Sequence, residues 1–591
     1  MYTFHIVFAR LRGSRCARVM VLSLVTQCVL AAPPTTPPPP PDSGVLLETV
    51  KPPPAEPPKP AGELIQMPAE ARPAMHPDDT LRVTLKQVRF TGAKAVPEAE
   101  LQQLAKPYLG RELTFTDLDA LAGKVTKLYR DRGYFIARAY LPQQELKDGV
   151  LEILVLEGHI GKITAKYTTA GPRISNSELE GFIRDALPTS KPVTVPELER
   201  GMLLENDLPN VNARSTLIPG ASVGTTDLVL EANQTGWFSK DTIEADNAGS
   251  RYSGQFRGGG SVNVASPAGL GDLLSARVLS SFDGFNYARM SWTTPVTYTG
   301  LKLGLSGTYT DYKLGGPLEA LGDHGNARVF SVFSVYPIVR SRFFNLYQTT
   351  TYEFKHLYDS SYAGTISDKE INLGTIGLNG DEQDSWAGGG LSTFSASVGI
   401  GHLGLLSGAA DVQADAETAH SAGSYHKFNL AAMRQQRLVG NWVLFAQVTA
   451  QLASKNLDSS ESFVFGGPSG VRAYPVGEAP ADQGSIQTLE LRYNTIAPFS
   501  LGSLQGQIFF DHGDVKLHRD PWATYLGSGA PNSYNLSSFG VGGNLYREDS
   551  LLVNAAVAHK IGSNPNPGLD NEDADGRDLS TRFWIQVVKY W

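Results

Sequence analysis

Cysteine is nearly absent. The 591-residue chain has two, Cys16 and Cys28, both within its first 31 residues. Arg10, Arg12, Arg15 and Arg18 precede an apolar run, which covers residues 19–30 and ends in Ala31-Ala32. This is the pattern of a secretory signal peptide over residues 1–31, cleaved after Ala31. The mature chain then holds no cysteine, which excludes disulfides and thiolate metal sites. Beyond Leu30 no apolar stretch approaches the roughly 18 residues that a membrane-spanning helix needs. Positive charge is not in excess: the formal net charge is -8, which argues against nucleic acid as a partner. No G-x-x-x-x-G-K-[S/T] segment occurs, so no P-loop binds a nucleotide. An exported chain with no spanning helix is periplasmic, secreted, or an outer-membrane β-barrel.

What is present changes character along the chain. Residues 32–79 are proline-dense (PPTTPPPPPD, KPPPAEPPKP) and read as an extended linker. Its one apolar island, Gly44-Val45-Leu46-Leu47-Glu48, reads as solvated linker, with a short docking element as the other reading. Residues 80–158 have the composition of a small α/β domain in the order β-α-α-β-β. Its second helix, capped by Thr116 and ended at Gly133, places Leu118, Leu121, Val125 and Leu128 on one face. Residues 159–233 repeat that order, with Leu198, Met202 and Leu203 on one side of the second helix. Tandem copies of one unit read as a modular arm.

From about residue 237 helical periodicity gives way to alternation. Leu301, Leu303, Leu305, Gly307 and Tyr309 alternate with polar or small residues. Trp442, Leu444, Ala446, Val448, Ala450 and Leu452 do the same, as do Leu551, Val553, Ala555 and Val557. Repeated segments of this kind, apolar on one face and polar on the other, mark a transmembrane β-barrel over residues 234–591. About 355 residues at roughly 22 per strand and loop give an even count near 16. Trp292, Tyr309, Trp442 and Trp584 are expected at the headgroups. The last run, from Arg582 to Trp591, is a strand with an aromatic end, as a wall closing on its first strand requires.

One loop stands apart. Residues 465–493 read FGGPSGVRAYPVGEAPADQGSIQTLELRY. Glycine and proline break it, and its single tip arginine has apolar neighbours, Val471-Arg472-Ala473-Tyr474. The residues allow an exposed extracellular arginine, or a loop folded into the barrel with Arg472 against a wall carboxylate, for which Asp511 is the best placed.

Several blocks together resemble one family, the two-partner secretion transporters or haemolysin secretion/activation proteins, whose barrels follow polypeptide-transport-associated (POTRA) domains. They are Leu203-Leu204-Glu205-Asn206-Asp207-Leu208-Pro209, Asp246-Asn247-Ala248-Gly249, and Tyr336-Pro337-Ile338-Val339-Arg340-Ser341-Arg342. Val471-Arg472-Ala473-Tyr474-Pro475 is similar to the family's pore loop, and Phe509-Phe510-Asp511-His512-Gly513 to its partner strand. The resemblance implies a barrel preceded by two POTRA domains, with Arg472 paired to Asp511 beside Phe509 and Gly513. It implies an outer-membrane translocator for an unfolded exoprotein, without cofactor, metal or catalysis, lying in lipid after insertion by the barrel-assembly machinery. Phe583 and Trp591 belong to the insertion signal, in which Lys589 is an unusual member. Leu198, Met202, Leu203 and Asp207 are candidate client contacts, with a plain core helix as the other reading. Ala473 stands where the family has glycine, so the backbone there must avoid positive φ. The alternative function is an assembly factor of the same superfamily. A barrel enzyme is disfavoured, because no Ser/His/acid set stands out.

Overall fold

The computed structural model describes residues 40–50, 64–66, 82–187, 191–497, 502–568 and 571–591. The expected signal peptide and most of the proline-rich stretch lie outside the described residues.

The part of the expected linker that is described is not solvated. Residues 43–48 form a short helix, α1 (Ser43–Glu48), which the barrel encloses. The first α/β unit contains helices α2 (Glu98–Ala105) and α3 (Phe115–Asp131). Its strand Val150–Leu156 lies between a parallel neighbour, Gln87–Thr91, and an antiparallel one, Arg138–Tyr140. The cap of α3 is Thr114, two residues before the expected Thr116. The Thr114 hydroxyl accepts from Asp117 N (3.3 Å) and the Asp117 carboxylate accepts from Thr114 N (2.9 Å). This reciprocal box satisfies donors that Thr116, already inside the first turn, cannot reach. Leu118, Leu121 and Val125 are buried, as their spacing predicts.

The second unit repeats the plan with α4 (Asn176–Ala186) and α5 (Val195–Asn206). Strand Thr225–Gln234 pairs in parallel with His159–Tyr167 and antiparallel with Val211–Pro219. The two-residue strand Ile65–Gln66, from the proline-rich region, adds in parallel to the outer edge of Val211–Pro219.

Sixteen antiparallel strands then close into a barrel, from Thr242–Asp246 to Thr581–Tyr590. The first and last strands pair from Thr242↔Tyr590 to Asp246↔Gln586. Strand length runs from five residues at that seam to 21 in Gly364–Asp384, so the wall is low on one side and tall on the other. Leu303, Leu305, Val332, Ile376, Ile400, Leu489 and Ile508 point outward. Successive residues of a strand face opposite sides, so Ser306, Ser331, Glu490 and Asp511 line the lumen. Tyr309 and Trp442 lie on the outer face as expected, but Trp584 does not: it is 7% exposed and points inward. Its neighbour Phe583 faces outward at 50% exposure, and period two forces the next side chain to the lumen.

Short turns at one barrel end meet the second α/β unit. Arg340 grips the Asp207 carboxylate with Nη2 and Nε at 2.7 and 2.8 Å, and Arg342 Nε lies 2.7 Å from Glu199. Arg200 Nη2 donates to Pro337 O at 2.9 Å, and Lys302 Nζ to Asp207 O at 3.1 Å. The long inserts 406–422, 454–482, 517–532 and 561–580 are at the opposite end.

Candidate functional site

The lumen site is built on the insert between strands Trp442–Ala453 and Gln483–Ile496. Its chain folds on itself: Phe465 O accepts from Val471 N (2.7 Å), Tyr474 O from Gly467 N (3.0 Å), and Glu478 O from Phe465 N (3.1 Å). The apolar residues flanking its arginine then have a common purpose. Phe465, Val471, Ala473 and Tyr474 are fully buried against inward residues of the wall, among them Ile486, Phe509, Val515, Leu536 and Ala558. Two wall glycines make room for this seat. A Cβ on Gly484 would lie 2.3 Å from Phe465 Cζ, and one on Gly513 would lie 2.8 Å from Phe465 Cδ1. Ala473 does not have positive φ; the left-handed alanine of this loop is Ala479, at φ 50°.

At the tip, Arg472 lies against Asp511. Nε donates to Asp511 Oδ2 at 2.9 Å, Nη2 to Oδ1 at 2.7 Å, and the backbone N to Oδ2 at 3.2 Å. Asp511, with no exposed surface, also accepts from Thr488 Oγ1 (3.1 Å) and Ser538 Oγ (2.9 Å). The guanidinium carbon is 3.4 Å from the Phe509 ring centroid. A planar cation stacked on an aromatic face and forked onto a carboxylate is a geometry that lysine cannot reproduce.

Four contacts were not foreseen. Arg472 Nη1 reaches a second carboxylate, Glu490, at 2.8 Å. Glu490 is in turn held by Arg492, whose guanidinium stacks on Phe445 at 3.8 Å. Trp584 Nε1 donates to Arg472 O at 2.7 Å, so the last strand of the wall also holds the loop tip. Glu490 and Arg492 alternate with apolar Leu489 and Leu491, a parity that marks both as lumen-facing but names no partner for them.

Other inserts enter the same lumen. Glu478 accepts from Asn564 Nδ2 (2.9 Å) and Ala574 N (2.8 Å), which joins this loop to insert 561–580. That insert is fixed to the wall by Arg582 on Asp573 and Asp575 (2.9 and 2.8 Å) and by Lys560 on Asp573 (2.7 Å). Asp42 caps α1 by accepting from Val45 N at 2.9 Å, and Ser459 Oγ donates to the same carboxylate at 2.7 Å. Ser43 donates N and Oγ to Asp359 at 2.9 and 3.0 Å. Leu46 packs on Leu279, Phe285, Tyr287 and Tyr312, while Leu47 packs on Val329, Leu357, Ile371 and Leu373. Helix, loop and wall therefore form one joined filling.

The remaining expected site residues are elsewhere. Phe583 is on the outer face of the last strand, Trp591 is exposed just past its end, and Lys589 Nζ donates to Ser550 Oγ at 2.8 Å. Leu198, Met202 and Leu203 are core residues of the second α/β unit, with almost no exposed surface, so no client can touch them in this conformation. Asp207 faces the barrel and is held by Arg340. The client-contact expectation for these four positions is thus corrected: the apolar side of α5 closes its own core, and its C-terminal end ties the unit to the wall.

Comparison with known proteins adds sequence relationships to this geometry. Residues 83–158 match the family described as POTRA domain, ShlB-type. Residues 224–534 match the family described as Haemolysin secretion/activation protein ShlB/FhaC/HecB. The chain is similar to the heme/hemopexin transporter protein HuxB of Haemophilus influenzae, with 29% identity over 537 residues, covering 90% of this chain and 91% of that protein. It is also similar to the outer membrane transporter CdiB of Dickeya dadantii, with 24% identity over 475 residues, covering 76% and 79%. Among solved structures, CdiB from Escherichia coli superposes with a TM-score of 0.67 at 17% identity, covering 88% of this chain and 93% of that one. BamA from Haemophilus ducreyi lacking POTRA domains 1-3 gives a TM-score of 0.50 at 14% identity, covering 86% and 100%; both likenesses are of fold.

Proposed function

The chain belongs to the haemolysin secretion/activation family of outer-membrane transporters, and from that premise we propose that it exports one unfolded partner protein through its own barrel. Its POTRA domains stand in the periplasm, below a barrel in the outer membrane. In the proposed sequence of events the α/β units capture an extended stretch of the exported chain by strand addition at a sheet edge. The captured stretch then enters the lumen as α1 and the inserts give way. No nucleotide motor takes part; folding of the partner outside the cell makes passage irreversible. The relative named for heme/hemopexin transport makes a haem- or hemopexin-related cargo the first to look for.

One observation carries this reading. A closed sixteen-strand wall encloses one short helix and two inserts held by polar contacts that can re-form, and it is joined at one end to two small sheet domains. The test is the protein content of the culture medium with and without the gene. Loss of one large exoprotein, restored by the intact gene, is expected. Unchanged medium together with defective assembly of other outer-membrane barrels would instead favour the assembly-factor reading.

A further inference from the structure

We infer that the lipid-facing side of the barrel carries a binding site for a phosphorylated, acylated glycolipid of the outer leaflet. An apolar groove takes an acyl chain, and a polar pocket beside it takes the phosphosugar. Such a site belongs to the wall and stands whether or not the barrel exports a partner.

Small residues make the groove. On the outer face, one row of opposed side chains runs Ala276, Met290, Gly307, Phe330 across four strands. The next row towards the rim runs Val278, Ala288, Tyr309, Arg328. Ala276, Ala288 and Gly307 leave a hollow among the larger Met290, Tyr309 and Phe330. Apart from its chain neighbours, a Cβ added at Gly307 would meet no heavy atom within 4 Å. The groove has a volume of about 810 Å³, within the roughly 300–1,000 Å³ typical of ligand sites.

The wall fixes which way the groove runs. Strand Lys302–Lys313 starts at the second α/β unit, where Lys302 Nζ donates to Asp207 O at 3.1 Å, and ends at the opposite rim. With the α/β units in the periplasm, that rim faces outside. Towards it, past Tyr309, a second pocket of about 740 Å³ opens, lined by Asp311, Lys313, His324, Asn326 and Tyr358. Tyr309 lines both spaces. Apolar groove and polar pocket thus follow each other as the tail and head of an outer-leaflet lipid do.

Charge narrows the occupant. Arg328, in the groove, and Lys313, in the polar pocket, are exposed, and among the described residues neither side chain has a hydrogen bond or ion pair. The lumen-side arginines differ: Arg257, Arg277 and Arg582 each hold a carboxylate. Phe330, 52% exposed, lies just below Arg328 on the same face. A bare cation at the edge of an apolar belt is costly unless an anionic headgroup meets it. The row continues through His356, whose Nε2 is 2.8 Å from Asp368 Oδ1, to Glu370, so His356 stands between Arg328 and that acid. Asp311, the acid of the polar pocket, accepts from Asn286 Nδ2 at 3.0 Å and has lone pairs left for a sugar hydroxyl. A guanidinium forks onto phosphate oxygens, and an ammonium adds a point charge. Acyl chain, phosphate and sugar hydroxyls together describe lipid A, the anchor of lipopolysaccharide.

The test is native mass spectrometry of the purified full-length protein in detergent. The probes are bisphosphoryl lipid A, the same lipid without its phosphates, and phosphatidylglycerol. The parent is expected to retain one bisphosphoryl lipid A per chain and to hold the other two roughly tenfold more weakly, as the loss of charged hydrogen bonds requires. Arg328→Ala with Lys313→Ala is expected to weaken retention about tenfold or more. Gly307→Trp, which fills the hollow, is expected to do the same, and both variants should keep the folded, heat-modifiable band. Ile508→Trp is the control: Ile508 is 57% exposed on the strand opposite Lys302–Lys313 in the ring, and this variant should retain lipid A as the parent does. Equal retention of the three lipids, parent-like retention by the charge or groove variant, an equal loss in Ile508→Trp, or a lipid-free dimer joined through this face would each overturn the assignment.

Discussion

At the scale of single residues the lumen is organised by Arg472. One guanidinium joins two carboxylates from different strands, Asp511 and Glu490, and its own carbonyl is held from a third strand by Trp584. Desolvating these charges offsets much of their attraction, so the cluster fixes the position of the loop more than it adds stability. Removing the cation has the opposite balance, because buried Asp511 loses its countercharge while Glu490 keeps only Arg492. Arg472→Ala is expected to destabilise the seated loop by about 3–5 kcal/mol. The barrel should still insert and migrate as a folded, heat-modifiable band, while protease cuts within 465–482 and secretion is lost. Arg472→Lys keeps one charge without the fork and is expected to fall between the two. The Arg472–Asp511 pairing was legible through the motif resemblance alone, since one arginine in a loop is otherwise ambiguous. Trp584 was misplaced because aromatic identity was weighed ahead of parity. With Phe583 in lipid, period two leaves Trp584 only the lumen.

At the scale of elements the clearest lesson is α1. Six residues are too few to hold a helix in water, since nucleation is unfavourable, and nothing inside residues 43–48 announces one. The wall supplies what the segment lacks: Asp359 for its first turn and an apolar patch for Leu46 and Leu47. That patch was the readable signal. Leu279, Tyr287, Val329, Leu357 and Leu373 are apolar at lumen-facing positions, where a wet channel needs polar ones. Leu46→Asp with Leu47→Asp is expected to expel the helix, each lost leucine alone costing about 2–5 kcal/mol of packing. Purified variant in planar bilayers should show larger and more frequent open-channel currents than the parent; identical currents would mean that α1 does not obstruct the lumen. Insert 517–532 offers a pH-dependent counterpart. His518 is packed between Trp522 and Tyr525, with ring centroids at 4.6 and 4.5 Å. Burial holds its imidazole down at about 4. An opened loop binds a proton near pH 6.5 and the packed loop does not, so packing weakens as pH falls from about 6.5 towards 4. The hydrogen-exchange protection factor of this insert, corrected for the intrinsic pH dependence of exchange, should therefore fall between pH 7 and 5, and His518→Phe should remove that fall.

At the scale of the whole molecule, the order of parts could be read before any geometry. The shift from helical spacing to alternation near residue 237, and the length that follows it, carry the information for a barrel of about this size. Strand length could not be read, because a strand that rises above the membrane keeps alternating, as Gly364–Asp384 does. Nor could the contents of the lumen, which depend on contacts between residues hundreds of positions apart, such as Ser459 with Asp42. The closed wall has a mechanical consequence. Sixteen strands hydrogen-bonded edge to edge fix a circumference, and a hoop of this kind cannot stretch a little to let something by. A passing chain therefore gains room by exchange: some of the filling must leave before the traveller can enter. Under the proposed export, traffic through such a conduit is single file, and its pace is set by the turnover of the occupants rather than by the width of the pipe.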